Sequence, residues 1–405
     1  MTEVGTVLIS GAGIAGSTLA HWLHQHGIRA TVVEKAPALR SGGYAIDLRG
    51  VAIDVVERMG LLDEVRSSVT EMSAGTFVDF RGRARAGFDS SMVASTERSL
   101  EILRGDLVHL VHGATTEHTE YLYDDSITGI EREDGGVRVT FRRTEPRVFG
   151  LVVGADGLHS TTRTLAFGPE EPYRRFLHSY VSIFTVSNFL GLEREAHLFN
   201  TPGRLAVLFH TPRAEGARAL LLHRSTEETG IDRQTSEEQK RYLRETFAGH
   251  GWETGRLLDE MEHTPDFYFD SVTQIRMNRW SRERVTLLGD AGYCPSPMSG
   301  QGTSLAVVGA YVLAQELARH EVLATALEAY EARMRPYVHA NQAIADPGLG
   351  FIAPRTRLGI TVRNTFLKLG PLLSTLSRFD TKLSTAAEAF DLDASSPTGR
   401  VKNSS

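Results

Sequence analysis

Hydrophobic spacing along the chain changes character three times. Residues 4–9 are apolar and β-branched, residues 14–26 repeat apolar positions at helical spacing, and residues 30–34 (ATVVE) alternate again as a strand. This predicts a βαβ unit at the N-terminus. Residues 99–113 read as a strand running into a helix. Residues 126–141 read as a hairpin turning at Asp134-Gly135-Gly136, and 151–157 (LVVGADG) as a buried strand ending in glycine. From about 173 to 275 the texture becomes that of an antiparallel sheet, with runs such as YVSIFTVSNFL and RLAVLFHTP separated by Pro/Gly turns. One helix interrupts them, with Ser236 and Gln239 in capping-box positions. The α/β pattern returns at 284–345. Beyond Pro354, Leu358, Val362, Phe366 and Leu369 share one helical face up to Gly370-Pro371, and this face is expected to pack across two domains. Residues 394–405 are expected to be disordered, and no internal repeat is visible.

Composition narrows the class. An apolar content of 41% and a charged content of 23% over 405 residues are those of a globular protein long enough for two packed domains. A formal charge of −6 without a basic block argues against nucleic acid as a partner. No apolar run reaches the roughly 18–20 residues of a membrane span, so no stable insertion is expected. The first residues carry no signal-peptide pattern. The single cysteine, Cys294, forms no internal disulfide, which fits a reducing cytoplasm. No metal-ligand spacing is read in the chain, and a monomer is expected.

Gly11, Gly13 and Gly16 form a GxGxxG between the first strand and the first helix, and Glu34 ends the next strand. The first glycine permits a tight turn, the second admits a pyrophosphate, and the third lets helix and strand touch. The helix start, with Ile14 and Ala15, turns its positive dipole end to the phosphates. Glu34, followed by Lys35, suits a ribose with a free 2′-hydroxyl, so the pattern predicts a dinucleotide, FAD or NAD. Residues 348–353 (GLGFIA) fit a variant of the same motif, but no strand precedes them and Pro354 follows. That copy is set aside.

Two further strand ends favour FAD. Gly154-Ala155-Asp156-Gly157 leads to Ser160 and Arg163. Gly289-Asp290-Ala291 leads to Pro295, Pro297, Gly300, Gln301 and Gly302. An extended FAD has ribityl hydroxyls that need such polar strand ends. With the N-terminal glycines, these motifs resemble the p-hydroxybenzoate hydroxylase-type flavoprotein monooxygenases. The segment 42–48 (GGYAIDL) and the turn 104–107 bring the chain nearer to the tetracycline-inactivating and antibiotic-tailoring branch. The resemblance implies an α/β fold: a Rossmann-like FAD-binding domain (1–72, 100–172 and 276–345) and an inserted, mostly antiparallel substrate domain (73–99 and 173–275). A C-terminal bridging helical segment (346–393) follows. It further implies FAD contacts for Asp47, Arg104, Asp156 and Asp290, main-chain contacts at Gly289, Gly300, Gly302 and Thr303, and an NAD(P)H contact at Arg40. Ser304 and Tyr293 depart from the family, which usually has Asn and often has His there.

The implied reaction uses NADPH or NADH to reduce non-covalently bound FAD, which activates O2 as a C4a-hydroperoxide that oxygenates a hydrophobic aromatic or polyketide-like molecule. The cofactor carries that chemistry, and no catalytic acid or base is assigned. Pro297, Met298, His210 and His223 are the candidate substrate contacts. A halogenase is disfavoured because Trp22, Trp252 and Trp280 are isolated and make no W-x-W pair. A flavin oxidase or reductase, and a flavin-containing sequestering protein favoured only by Ser304, are the alternatives.

Overall fold

A computed structural model describes residues 4–39, 45–70, 72, 74–89, 98–214, 216–369, 387–388 and 390–393. Arg40 and residues 41–44 therefore lie outside the described residues, as do Gly370-Pro371 and the tail 394–405.

The N-terminal unit forms as its spacing predicts: strand Thr6–Ser10, helix Ile14–Gln25, strand Arg29–Glu34. These strands belong to a six-stranded sheet. Its order is Ser281–Arg282, Val285–Leu287, Leu151–Gly154, Thr6–Ser10, Arg29–Glu34, Glu120–Tyr123, parallel throughout except at the first pair. Segments far apart in sequence thus end side by side, and all three glycine motifs follow the C-terminal ends of neighbouring parallel strands. Helices Ile14–Gln25 and Gly302–Arg319 pack together on one face, burying Leu19, Leu23, Leu305 and Leu313. The strand Ser99–Leu103 and helix Arg104–Gly113 form where the pattern put them, with Ser99–Leu103 pairing antiparallel to Ala45–Arg49. The hairpin Ile127–Glu133 with Gly136–Phe141 turns through Gly135, whose φ of +76° is a left-handed value that glycine adopts without strain.

The second body is a seven-stranded sheet, ordered Tyr268–Ile275, Arg174–Val186, Ala217–Arg224, Arg204–Phe209, Glu195–Thr201, Ala74–Val78, Ala84–Asp89. Alternation along each strand separates two apolar faces. Val181, Leu205, Val207 and Leu222 face one way, towards Ala345, Leu349 and Met298. Tyr180, Ala206, Leu208 and Leu221 face the other, under helices Ser236–Thr246 and Thr254–Met261.

Two expectations shift and a third holds. The capping box lies one residue earlier, on Thr235 and Glu238, because Gln239 is drawn inward to the carbonyls of Asp232 and Gln234. The copy of the glycine motif at 348–353 falls largely within helix Ala345–Ile352 and forms no strand-to-helix turn, as its lack of a preceding strand predicts. In helix Arg357–Leu369 the residues that pack inward are Arg363 and Leu367, while Leu358 and Val362 are 73% and 59% exposed. The reason lies in Arg363. Its guanidinium stacks 3.5 Å from the Phe77 ring centre and donates to Asn200 Oδ1 and the Ile352 carbonyl, which fixes the helix's rotation.

Candidate functional site

The three motif ends meet in one cleft. At Gly11 (φ +107°) a Cβ would stand 2.6 Å from the Ala155 carbonyl oxygen, and at Gly16 one would stand 1.9 Å from the Gly11 oxygen. Those two glycines are there for backbone contact. Gly13 differs: nothing lies within 4 Å of where its Cβ would be, and it caps the first helix without any side-chain hydrogen bond. Open space over unsatisfied helix N–H groups is the form of a phosphate cradle. Glu34 stands beside it. One carboxylate oxygen accepts from Ala12 N and the other from Ala36 N, both at 2.9 Å, which fixes the carboxylate at the strand end. Lys35 is exposed next to it.

The third motif closes on the first. Gly289 (φ +64°) stands over Ala15, 3.4 Å from its methyl group by the same test. Asp290 begins a short helical turn, and Asp290 Oδ1 is 3.8 Å from the Cβ position of Gly302. Burial pushes the Asp290 carboxyl up, while a hydrogen bond from the Cys294 thiol and the charge of Arg104 act against that shift. Arg104 itself is exposed at the first position of its helix. Asp47 comes in from the other side, held by Arg49 at 3.0 Å and lying 3.5 Å from the Cβ position of Gly300. Asp47, Asp290, Gly300, Gly302 and Thr303 therefore border one place, at the N-terminus of an 18-residue helix with no side-chain cap.

Ser304 is turned away from that place. Its buried hydroxyl accepts from Arg49 N at 3.1 Å, tying the helix start to the strand that carries Asp47. Tyr293 is core: its hydroxyl meets that of Tyr330 at 3.0 Å, and Gly309 leaves room for it, since a Cβ there would be 2.2 Å away. Asp156 uses its carboxylate locally, accepting from Thr162 N and Oγ1 and from Ser160 Oγ.

Arg163, a member of the second motif to which the sequence assigns no contact of its own, is fully buried. Its guanidinium donates to the Ala291 carbonyl at 2.8 Å, to the Leu158 carbonyl at 2.7 Å, and to Glu170. It thereby fastens the second motif to the third. Gln274 does the same between bodies, donating to the Pro295 and Gln342 carbonyls from the sheet's edge strand. Arg163 was marked in sequence by its place in the second motif, whereas nothing marked Gln274, because a sequence does not display the burial of a polar residue.

Of the candidate substrate contacts, Met298 is half-buried and packs against the face formed by Val181, Leu205, Val207 and Leu222, while Pro297 beside it is exposed. His223 is on the opposite face. It stacks on Tyr180, shares a 2.9 Å hydrogen bond with Tyr242, and is held neutral by burial, its pKa pushed down to about 4. His210 follows strand Arg204–Phe209, its backbone N donating to Glu195 and its Nδ1 buried without a partner among the described residues. The structure thus brings Met298, but not His223, to the flank of the cleft. Among the described residues no helix is long and apolar enough to cross a membrane.

The comparisons agree with this geometry. Residues 5–345 match the family model described as an FAD binding domain. An uncharacterised protein of Mycobacterium tuberculosis is 44% identical over 353 residues, covering 86% of this chain and 95% of the relative. A flavin-dependent monooxygenase of Legionella longbeachae is 38% identical, covering 83% and 86%. Among solved structures, tetracycline destructase Tet(55) superposes with a TM-score of 0.84 at 35% identity, covering 98% of this chain and all of that one; Tet(51) does so with 0.85 at 32%, covering 97% and 100%. A glycine-lined cleft of this form and this degree of likeness establish that the chain belongs to the FAD-dependent monooxygenases of the p-hydroxybenzoate hydroxylase type.

Proposed function

We propose that the protein is a single-component FAD monooxygenase that takes electrons from NADPH or NADH and places one atom of O2 on a hydrophobic aromatic or polyketide-like molecule. One observation carries this reading: the loop that begins at Gly289-Asp290 ends on an apolar sheet face, with Met298 packed against it. A planar ring bound beside Gly300 and Gly302 then has an apolar wall next to it.

The site fits FAD by its own features, namely the open cradle at Gly13, the fixed carboxylate of Glu34 and the carboxylates of Asp47 and Asp290. Gly11, Gly13, Ile14, Ala15 and Gly16 would hold the pyrophosphate, Glu34 and Lys35 the adenosine side, and Asp47, Arg104 and Asp290 the ribityl side. Bound there, the cofactor supplies hydride acceptance and oxygen activation. The chain supplies the surroundings. Unpaired N–H groups at Gly302 and Thr303 favour negative charge developing next to them. The apolar sheet face keeps water away from the reacting atoms. The buried, occupied hydroxyl of Ser304 is a structural tie, which removes the one feature that spoke for a sequestering protein. The names of the Tet(55) and Tet(51) structures support a tetracycline-like polycyclic substrate.

The test is oxidation of NADPH and NADH with a panel of tetracyclines and aromatic polyketides under 18O2. Ligand-stimulated oxidation and a product heavier by one labelled oxygen are expected. Stimulated reduction with only hydrogen peroxide formed, for every compound, would overturn the reading.

A further inference from the structure

Three ligand-bearing side chains that the flavin site does not use converge at the seam between the two sheets. His159 stands in the loop after strand Leu151–Gly154, Asp232 in the turn before helix Ser236–Thr246, and Asp270 on the edge strand Tyr268–Ile275. One nitrogen of His159 and one carboxylate oxygen of each aspartate all lie within 4.8 Å of one another. Ligands about 2.1 Å from one ion stand roughly 3–4 Å apart, so an ion held here draws the three groups together by about an ångström.

The surroundings are those of held ligands. His159 Nδ1 is 3.2 Å from Glu170 Oε1, and its other nitrogen faces Asp270 Oδ1 at 3.4 Å, so a carboxylate already orients the ring. Asp270 is itself fixed, accepting from Ser271 N at 2.7 Å and from the Tyr268 hydroxyl at 3.1 Å. Asp232 is the decisive member. Its side chain has no solvent exposure, one oxygen is paired with Arg174, and the other is buried without a hydrogen-bond partner among the described residues. A buried carboxylate oxygen left without a partner is costly. Charge points the same way. The carboxylates Glu170, Glu171, Glu228, Asp232 and Asp270 stand against three guanidinium groups, Arg163, Arg174 and Arg233, and the His159 imidazole between Glu170 and Asp270, so acidic groups outnumber basic ones even with that ring protonated.

We propose that His159, Asp232 and Asp270 form a divalent-cation site that clips the loop carrying Asp156 to the substrate-domain sheet. One imidazole nitrogen with two carboxylate oxygens, and no thiolate, suits Mn2+ or Zn2+. His159 is 44% exposed, which gives the ion a path in and room for water ligands. Binding forms one metal–nitrogen and two metal–oxygen bonds and releases any proton held on the imidazole to solvent. No electron is transferred. The clip joins the loop after Leu151–Gly154 to the edge strand whose Gln274 grips the Pro295 carbonyl, so the ion stiffens the contact between the two bodies.

Holoenzyme treated with chelator and desalted is titrated with MnCl2 and with ZnCl2 by calorimetry, and free Mn2+ is followed by EPR. One saturable site per chain is expected for at least one of the two metals, weakened tenfold or more in His159→Gln and in Asp232→Asn. The wild-type titration decides even if Asp232→Asn folds poorly. Absence of saturable binding of either ion, or wild-type affinity in a folded His159→Gln, would overturn the site.

Discussion

At the scale of single residues, two positions separate what a side chain is from what it does. Ser304 looks like a defect in a flavin loop when read as sequence; in the fold it is a hydrogen-bond acceptor for Arg49 N. Ser304→Ala leaves that N–H unpaired and is expected to cost about 1–3 kcal/mol in urea unfolding. FAD absorbance of the folded fraction should be unchanged. His223 reads as a candidate substrate contact and is instead packed among Tyr180, Tyr242 and Phe247. Burial lowers its pKa from 6.5 to about 4, so the unfolded chain binds the extra proton between those values. Its contribution is fully present above about pH 6.5 and is lost as pH falls towards 4, up to roughly 3 kcal/mol in all. Stability measured against pH in wild type and His223→Phe should diverge over that window; parallel curves would refute the assignment.

At the scale of elements, periodicity located the helices and strands, but rotation and phase came from partners. The helix Ser236–Thr246 was legible, yet its capping box is set by Thr235, because Gln239 is held by the carbonyls of Asp232 and Gln234. Thr235→Ala is therefore expected to cost about 1 kcal/mol, and Ser236→Ala only a few tenths, by thermal or chemical unfolding. The helix Arg357–Leu369 makes the same point about rotation. Its apolar stripe suggested an inward face, and the fold turned Arg363 inward because a planar cation finds the Phe77 ring and two oxygen acceptors there.

At the scale of the whole molecule, the cleft exists because three strand ends, at Ser10, Gly154 and Leu287, lie side by side in one sheet. Arg163 secures that arrangement from within. Arg163→Met removes donors to the Ala291 and Leu158 carbonyls and an ion pair with Glu170. The expected result is a loss of about 3 kcal/mol in stability. FAD binding should weaken by about tenfold, or 1.4 kcal/mol, measured by flavin fluorescence quenching. Arg163→Lys, which keeps the charge but not the planar fork, should recover part of the stability and little of the affinity. Full recovery of both would show that charge alone matters.

The chain by itself determined what depends on near neighbours. The GxGxxG turn, the acidic end of the second strand, the left-handed turn at Gly135 and the switch from α/β to antiparallel texture are all local patterns, governed by backbone sterics and side-chain period. The family resemblance was legible for the same reason, since glycine and aspartate at strand ends are required where backbone must approach a ligand. Only the tertiary structure decided which polar residues are consumed internally. Ser304, Arg163 and Gln274 find their partners through packing, two of them across more than a hundred residues. The meeting of His159, Asp232 and Asp270 likewise depends on how one sheet docks against another. No spacing along the chain encodes that, because the distance between such groups is set by the assembled core and not by the segment each belongs to.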